Sequence, residues 1–443
     1  MTQFLYVMVQ LLQLILALGV LVFVHELGHF TFARLFGVRV EKFFLFFDTK
    51  GVALWRCKSK KSGTEFGIGW LPLGGYCKIA GMVDEHYLQT GERTAPKSDE
   101  MRAKPAWQRI LIMLGGILFN LLFAIIIYAG ITYSRGEYLL PSDHLSSGMM
   151  FSKEAHSVGF EDGDIILSVD GVHSPNIFES NFMQSVVEAE QVSVQRLGQT
   201  VTLHMPSGLL QKVIASKEPF MSVIVPFVVD SLLPGGVAEK ASLRKGDQLL
   251  RLDTLEIADI ADAQYYFALH PNATIAATLL RGSDTLHLPL RPDASGKIGV
   301  VLRTLDKLYP PRHIRYTFWE SLPRGAQLAF STLKGYASSM RLVFSREGAS
   351  QVGGFITMGK LFSGLFDWIA FWNIVALLSI VFAFMNFLPI PMLDGAEILF
   401  LLVELISRRK IDEKVIMKTK MVGLVLLLLL FVWANMNDIF RLF

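Results

Sequence analysis

The sequence predicts an α+β membrane protein, in which an α-helical polytopic core of four transmembrane helices carries two inserted, mainly-β domains. Hydrophobic residues make up 52% of the 443-residue chain and charged residues only 18%, whereas soluble domains carry about 25% charge. Four apolar stretches each approach the ~20 residues that a membrane-spanning helix needs. Two similar segments recur in the long region between the second and third stretches.

The four apolar stretches cover residues 4–24, 110–131, 370–387 and 421–440. The first has the length of a signal peptide, but no basic residue precedes it and no small-residue cleavage site follows. We therefore expect a retained transmembrane helix that continues to residue 36. The predicted divisions are helix one (1–36), a membrane-associated β-loop region (37–107), helix two (108–132), two β-domains (133–216 and 217–306), an amphipathic helix with a Gly-rich loop (307–368), helix three (369–395), a cytoplasmic loop (396–420) and helix four (421–443).

Lysine and arginine are concentrated in the regions 36–107 and 408–420. By the positive-inside rule these connections are cytoplasmic, which places the termini and the long connection 132–368 outside. Both cysteines, Cys57 and Cys77, then lie on the reducing side. A net charge of +3 without a basic, aromatic-rich tract gives no indication of nucleic-acid binding.

The long external region contains an internal repeat. Gly163-Asp164 and Gly246-Asp247 each precede an alternating apolar strand that ends in an aspartate. The pattern resembles bacterial PDZ domains, which bind extended peptides by adding a strand to a sheet edge. Compact β-modules without a ligand are the alternative.

Two features follow the repeat. Mixed apolar and polar residues in 318–344 predict a helix on or near the membrane surface. The glycine-rich stretch 348–359 predicts a loop.

His25-Glu26-Leu27-Gly28-His29 matches the pattern H-E-x-x-H. On a helix the two histidines share one face, where both imidazoles can bind one Zn²⁺, and Glu26 is placed to act as a general base. The motif lies in an apolar helix, where a charge costs about 2.5–3.5 kcal/mol, so three ionisable groups within one turn need a partner. A divalent cation is the obvious one; the alternatives are a polar contact between helices or a transporter's proton relay.

A catalytic zinc site has three protein ligands and one open position, so two histidines leave one ligand missing. The next histidine, His86, lies in a polar loop, whereas Asp394 follows Pro389 and Pro391 at the end of the third apolar stretch. The prolines break the helix, and a carboxylate on irregular backbone at membrane depth indicates a wet cavity lined by protein. A Pro–Asp–Gly turn at the cytoplasmic surface is the alternative.

The chain has H-E-x-G-H in the predicted first helix, N-x-x-P-x-P-x-L-D-G at the end of the third and two PDZ-like segments between the second and third. With these motifs it resembles the site-2 protease family of intramembrane zinc metalloproteases. The resemblance covers nearly the whole chain. It implies zinc ligation by His25, His29 and Asp394, with Glu26 catalytic. It also implies a multi-pass protein of the bacterial inner membrane with periplasmic PDZ-like domains. The implied activity is cleavage of single-span membrane proteins, such as anti-sigma factors and remnant signal peptides, in regulated intramembrane proteolysis.

The same resemblance implies residues that bind the substrate. Segment 66–81 resembles the family's membrane-associated β-loop, which would hold the substrate as a strand; an ordinary glycine-rich turn is the alternative. The two asparagines correspond to family residues near the substrate path, although intramembrane asparagines often join helices instead. The expected substrate-binding residues are Asn386, Asn120, Gly67, Gly69, Gly74, Gly75, Pro389 and Pro391.

The chain departs from the family pattern at two places. Gly115-Gly116 precedes Asn120, and Gly353-Gly354 precedes the third stretch, where the family has Gly-Pro. Both departures concern the predicted shape of a loop and neither touches a metal ligand.

Two other functions would use the same residues. A transporter or metal permease predicts inverted repeats of spans, which the sequence lacks. A catalytically inactive scaffold that presents PDZ-like domains predicts an eroded metal motif, whereas every letter of the motif is present.

Overall fold

The computed structural model describes residues 2–72, 74–82, 95–179, 181–216, 218–343, 353–409 and 411–441. These residues form two compact units, one of Met1–Gly136 with Arg315–Phe443 and the other of Glu137–Ile314. The helices are α1 (Thr2–Leu35), α2 (Ala106–Arg135), α3 (Lys153–His156), α4 (Phe182–Val187), α5 (Leu209–Ser216), α6 (Val237–Lys240), α7 (Ile260–Leu269), α8 (Leu305–Leu308), α9 (Phe318–Val343), α10 (Phe355–Lys360), α11 (Trp368–Phe387), α12 (Asp394–Ser407) and α13 (Glu413–Phe440).

The strands are short and fall into three regions of the chain. They are β1 (Val40–Leu45), β2 (Ala53–Lys58), β3 (Glu65–Gly69), β4 (Tyr76–Ile79), β5 (Glu137–Leu139), β6 (Met149–Phe151), β7 (Ile165–Val169), β8 (Val172–His173), β9 (Gln191–Arg196), β10 (Gln199–His204), β11 (Met221–Val223), β12 (Val229–Leu232), β13 (Gln248–Leu252), β14 (Leu255–Glu256), β15 (Ile275–Arg281), β16 (Asp284–Leu290), β17 (Val300–Leu302) and β18 (Arg312–Ile314).

Four helices of the first unit are long and apolar enough to cross a membrane among the described residues: α1, α2, α11 and α13. They confirm the four predicted spans. Helix α1 continues unbroken through His25 and His29 to Leu35. Helix α11 ends at Phe387, directly before the segment with the two prolines, as their lack of an N–H donor requires.

Two segments predicted as loops contain helices. The predicted loop 396–420 begins with most of α12, because apolar residues recur at helical spacing and bury Ala396, Ile398 and Leu401. In the Gly-rich stretch 348–359, residues 348–352 lie outside the described residues, and the later part contains α10. The Asp438 carboxylate of α13 accepts a hydrogen bond of 2.9 Å from the Thr357 N–H and so stabilises the start of that helix.

Helix α9 confirms the predicted helix through Val343. Its Ala329 is fully buried in a cluster with Ala124 of α2 and Ile380 of α11, so this face of α9 packs on other helices of the first unit. Its predicted location near the membrane surface stays a prediction.

A four-stranded sheet with the order β2-β3-β1-β4 follows α1. Strand β1 pairs in parallel with β3 and antiparallel with β4, while β2 pairs antiparallel with β3. The sheet packs against α1 through Phe43, whose ring lies 5.7 Å from that of Phe23 and 5.6 Å from that of Phe30. This order leaves β2 and β4 at the edges and β3 in the interior.

The second unit contains the predicted repeat as two similar modules. The first has the sheet β10-β9-β7-β8 and the second the corresponding sheet β16-β15-β13-β14. Strands β7 and β13 follow the Gly163-Asp164 and Gly246-Asp247 turns, and each module has its own buried apolar core. Their identity as PDZ domains stays a prediction.

The first module extends beyond its predicted end at residue 216. Strand β11 pairs with β6, and Phe220 is fully buried in the first core, so the boundary lies after Val223. The second module closes in the same way, since β17 pairs with β12. A strand of only three residues shows too little alternation to be predicted, so the sequence does not indicate which of the two modules it belongs to.

Each Gly-Asp turn buries its aspartate against an arginine. Asp164 lies 2.7 Å from Arg196 Nη2, and Asp247 lies 2.7 Å from Arg281 Nε; the two aspartate side chains are 1% and 0% exposed. The hydrogen bond from Arg281 holds the pKa of Asp247 below its usual range. The repeat therefore preserves a buried ion pair as well as a turn.

We expect Asp247→Asn to destabilise the second module at neutral pH. A carboxyl whose folded pKa is lowered stabilises the fold above its unfolded pKa of about 3.9, and that stabilisation is lost as the pH falls through the folded value. The difference from the wild type is therefore full at pH 6–7 and shrinks below about pH 4. Hydrogen exchange of β13 and β15 in the full chain measures it; a difference that stays constant down to pH 3 would contradict the role of the ion pair.

Candidate metal centre

Three donor atoms from two distant parts of the chain converge inside the first unit. His25 and His29, one turn apart on α1, place their Nε2 atoms 3.2 Å from each other. Asp394, the first residue of α12, brings its Oδ2 to 3.1 Å from His25 Nε2 and 3.2 Å from His29 Nε2. The three atoms form a nearly equilateral triangle.

This triangle fits a zinc ion. Ligands at 2.0–2.1 Å in a tetrahedral arrangement lie about 3.3 Å from each other, close to the spacing of these atoms. Asp394 Oδ2 is buried without a hydrogen bond to any described residue, and the side chains of His25 and His29 are only 13% and 6% exposed. Three electron-rich atoms this close need a cation between them, and the set of two imidazoles and one carboxylate leaves a fourth position open, as in catalytic zinc sites.

Close packing of α1 on α2 positions the histidines. A Cβ at Gly28 would lie 2.1 Å from the carbonyl oxygen of Gly115, and one at Gly116 would lie 2.5 Å from His25 Cε1, so these positions require glycine. His29 Nδ1 donates to the Ile112 carbonyl at 2.8 Å, which leaves Nε2 free for a metal. The departure at Gly115-Gly116 therefore lies within helix α2 and does not shape a loop.

A tight turn delivers the carboxylate. After α11 ends, Met392 adopts a φ of 82°, and a Cβ at Gly395 would lie 2.2 Å from the Leu388 carbonyl oxygen. The chain thus folds back on itself between the two helices. Pro391 packs against Gly423 of α13, whereas Pro389 is exposed. The predicted irregular backbone is present, and it directs Asp394 toward the histidines.

Glu26 lies beside the triangle without belonging to it. Its half-buried carboxylate lies near His25, His29 and Asp394, and the backbone of Cys77 in β4 lies close to it. This position allows proton transfer to and from a group bound next to the three donors. His86, which sequence analysis set aside as a ligand, lies outside the described residues.

Only part of the predicted β-loop offers an edge to a substrate. Gly67 and Gly69 belong to β3, which is paired on both sides; a Cβ at Gly67 would lie 2.4 Å from the Phe44 ring, and one at Gly69 2.3 Å from the Phe47 backbone. These two glycines are therefore packed inside the sheet, and their predicted contact with a substrate stays a prediction. Gly74 and Gly75 precede the edge strand β4, and Gly74 has a φ of 151°.

The two asparagines are placed differently. Asn120 is 0% exposed, and its amide lies 3.2 Å from His25 Nδ1, so it does not line an open substrate path. Asn386 is half-buried in the last turn of α11, and its amide makes no hydrogen bond to a described residue. The support that α2 gives to the histidines was not predicted; the spacing of Ile112, Gly116 and Asn120 by four residues is the sequence signal that places them on one helix face.

Comparisons with known proteins agree with this chemistry. The sequence model described as peptidase family M50 matches residues 13–430. A protein of Salmonella typhimurium named regulator of sigma-E protease RseP is 29% identical, over 97% of this chain and 98% of its own. A protein of Yersinia pestis named protease RseP is 28% identical over the same shares. A Vibrio cholerae protein whose name describes it as a zinc metalloprotease is also 28% identical over those shares.

Proposed function

Because this chain belongs to peptidase family M50 and is an integral-membrane zinc metalloprotease of bacterial type, we propose that it cleaves peptide bonds within the membrane, as a site-2 protease. His25, His29 and Asp394 hold the zinc and Glu26 is the general acid and base. The convergence of the three donor atoms at 3.1–3.2 Å, on helices long enough to span a bilayer, carries the proposal.

The chain's own residues perform the proton transfers. When bound, zinc supplies a Lewis acid that activates water and polarises a peptide carbonyl. Glu26 takes the proton of the attacking water on its carboxylate and passes it to the nitrogen of the leaving amine. Glu26 lies beside the ligand triangle and close to the backbone of Cys77. One carboxylate is therefore within reach of both the attacking water and the leaving amine.

We place the substrate on the free edge of β4. A transmembrane helix hides its peptide bonds, so it must unwind before attack, and pairing with an edge strand satisfies the freed backbone groups. Among the residues that the structure describes, strand β4 pairs only with β1, and its Cys77 lies close to Glu26. A substrate strand along this edge runs directly past the catalytic carboxylate, and the free amide of Asn386 is available to another of its backbone groups.

The substitution Cys77→Pro tests this placement. Proline removes an N–H of the β4 edge beside Glu26, so the substrate strand loses one hydrogen bond and the register that this bond fixes. We therefore expect cleavage of a membrane-anchored reporter to fall by at least about tenfold. Cys77→Ala is the matched control, since it removes the thiol but keeps the N–H, and it should cleave within about threefold of wild type. Equal activity of the two variants at equal zinc content would rule out the β4 edge.

The modules of the second unit are proposed as periplasmic PDZ-like domains. A groove of about 300 Å³ runs between α4 and β11 in the first module, lined by apolar side chains including Met149, Phe182, Met183, Met221 and Val223. In the part of the chain that the structure describes, strand β11 pairs with β6 alone, so its other edge can accept an extended peptide as an added strand. If the module binds peptides, an apolar peptide should bind to the wild type and not to Met183→Lys. A module that only excludes bulky ectodomains would bind the peptide in neither case.

For substrates we propose single-span membrane proteins, including an anti-sigma factor and remnant signal peptides, in the bacterial inner membrane. Four relatives carry the name regulator of sigma-E protease. The Lys- and Arg-rich connections support a metal centre toward the cytoplasmic side. Co-expression of candidate single-span proteins with wild-type chain and with Glu26→Gln tests this. A substrate accumulates uncut only with the variant; equal processing by both would remove that protein from the substrate set.

A further inference from the structure

The environment of Asn120 contains two polar atoms that lack a suitable partner. Its Nδ2 lies 3.2 Å from His25 Nδ1, and its Oδ1 is buried without a hydrogen bond to any described residue. When His25 presents Nε2 to a metal, its Nδ1 carries the hydrogen and needs an acceptor. The amide nitrogen offers only hydrogens. Rotating the amide by 180°, which exchanges its oxygen and nitrogen, places Oδ1 opposite His25 Nδ1 and so gives the imidazole N–H its acceptor.

We propose that Asn120 is a positioning residue of the metal centre, in which its Oδ1 accepts a hydrogen bond from His25 Nδ1–H. This bond fixes the tautomer and the ring of His25, so that the Nε2 lone pair points at the zinc. Partners of this kind on the second ring nitrogen orient metal-binding histidines and raise their basicity. The role differs from the predicted substrate contact, which the full burial of Asn120 does not support.

Helix α2 performs the same task for both histidines. The Ile112 carbonyl accepts from His29 Nδ1 at 2.8 Å, two turns before Asn120. Between them lies Gly116, where a Cβ would be 2.5 Å from His25 Cε1 and 2.7 Å from His29 Nε2. One face of α2 therefore carries three features at intervals of four residues. Ile112 provides the acceptor for the His29 ring, Gly116 leaves room for both rings, and Asn120 provides the acceptor for the His25 ring.

A further hydrogen bond joins the backbone of Asn120 in α2 to α11. The hydroxyl of Ser379 in α11 donates to the Asn120 carbonyl oxygen at 2.7 Å, and both residues are 0% exposed. This bond reaches the backbone of Asn120 and leaves its amide free for His25. Ser379 therefore provides a control that disturbs the same helix junction without touching the imidazole.

Zinc affinity of the purified full-length chain in detergent tests the proposal. The metal is removed with a chelator, and the dissociation constant is measured by competition with a chromogenic zinc ligand. We expect Asn120→Leu, which keeps the branched shape but cannot accept a hydrogen bond, to bind zinc about 10- to 100-fold more weakly. Asn120→Asp supplies a carboxylate acceptor and should remain within about threefold of wild type, since carboxylates commonly fill this role. Ser379→Ala should also remain within about threefold.

Wild-type zinc affinity in Asn120→Leu would overturn the proposal, and so would equal loss in the Leu and Asp variants. Far-UV circular dichroism of each metal-free variant shows whether the helices are retained; if Asn120→Leu does not fold, failure of Asn120→Asp to hold zinc decides against the proposal. Because the role of Asn120 rests on the proposed ligation by His25, His25→Ala is measured in parallel. Full zinc affinity in His25→Ala would refute the ligand assignment itself. If His25→Ala loses zinc affinity while Asn120→Leu keeps it, only the role of Asn120 is refuted.

Discussion

Replacement of Glu26 by Gln is expected to lower proteolysis by at least about 10²- to 10⁴-fold, the range that general acid–base catalysis supplies. Gln has nearly the same shape, and its Oε1 remains a hydrogen-bond acceptor. It cannot take up a proton. Because Glu26 lies outside the triangle of donor atoms, the variant should retain one zinc per chain.

The measurement pairs cleavage of a membrane-anchored reporter with metal analysis of the same preparation. Retained zinc together with lost cleavage assigns Glu26 to proton transfer. Loss of zinc from Glu26→Gln would show that the residue is a ligand or supports one, and undiminished cleavage would remove it from the mechanism. Either result requires a different base.

Substitution of Asp394 by Ala should abolish both zinc binding and activity. Asp394 Oδ2 supplies one corner of the donor triangle, and only two imidazoles remain without it. Loss of an outer-shell partner alone weakens metal binding about 10- to 100-fold, so loss of a ligand should cost more than about 100-fold. Zinc affinity by chelator competition and reporter cleavage measure the two effects.

Glu397 provides the matched control for Asp394. It lies on the same helix, α12, one turn later, and pairs with Lys420 of α13. Glu397→Gln removes a carboxylate of similar exposure from the same helix without changing the donor triangle. It should keep its zinc. Equal loss of zinc in both variants would indicate that disruption of α12, and not loss of a ligand, explains the effect of Asp394→Ala.

The parts of the molecule that depend on local sequence could be predicted. Apolar length specifies the membrane-spanning helices, and the i, i+4 spacing of His25 and His29 places their rings on one helix face. Asp394 could be predicted because a catalytic zinc site needs a third protein ligand besides the two histidines, and because the prolines before Asp394 break the helix. These inferences need no knowledge of which elements touch.

The features that sequence analysis missed depend on long-range packing. Whether Gly67 faces a substrate depends on the strand order, and the parallel pairing of β1 with β3 places it in the sheet interior. The role of Asn120 depends on how α2 is rotated against α1, which the close approach of Gly28 and Gly115 determines. Helix α12 was hidden because its apolar face follows a proline-rich turn that resembles the end of a span.

The most direct test of the metal centre is anomalous diffraction at the zinc absorption edge from crystals of the zinc-loaded chain. The donor triangle predicts one anomalous peak within about 2.0–2.2 Å of His25 Nε2, His29 Nε2 and an Asp394 carboxylate oxygen. A peak bound to other residues, or one that contacts the two histidines while Asp394 lies beyond bonding distance, would contradict the assignment.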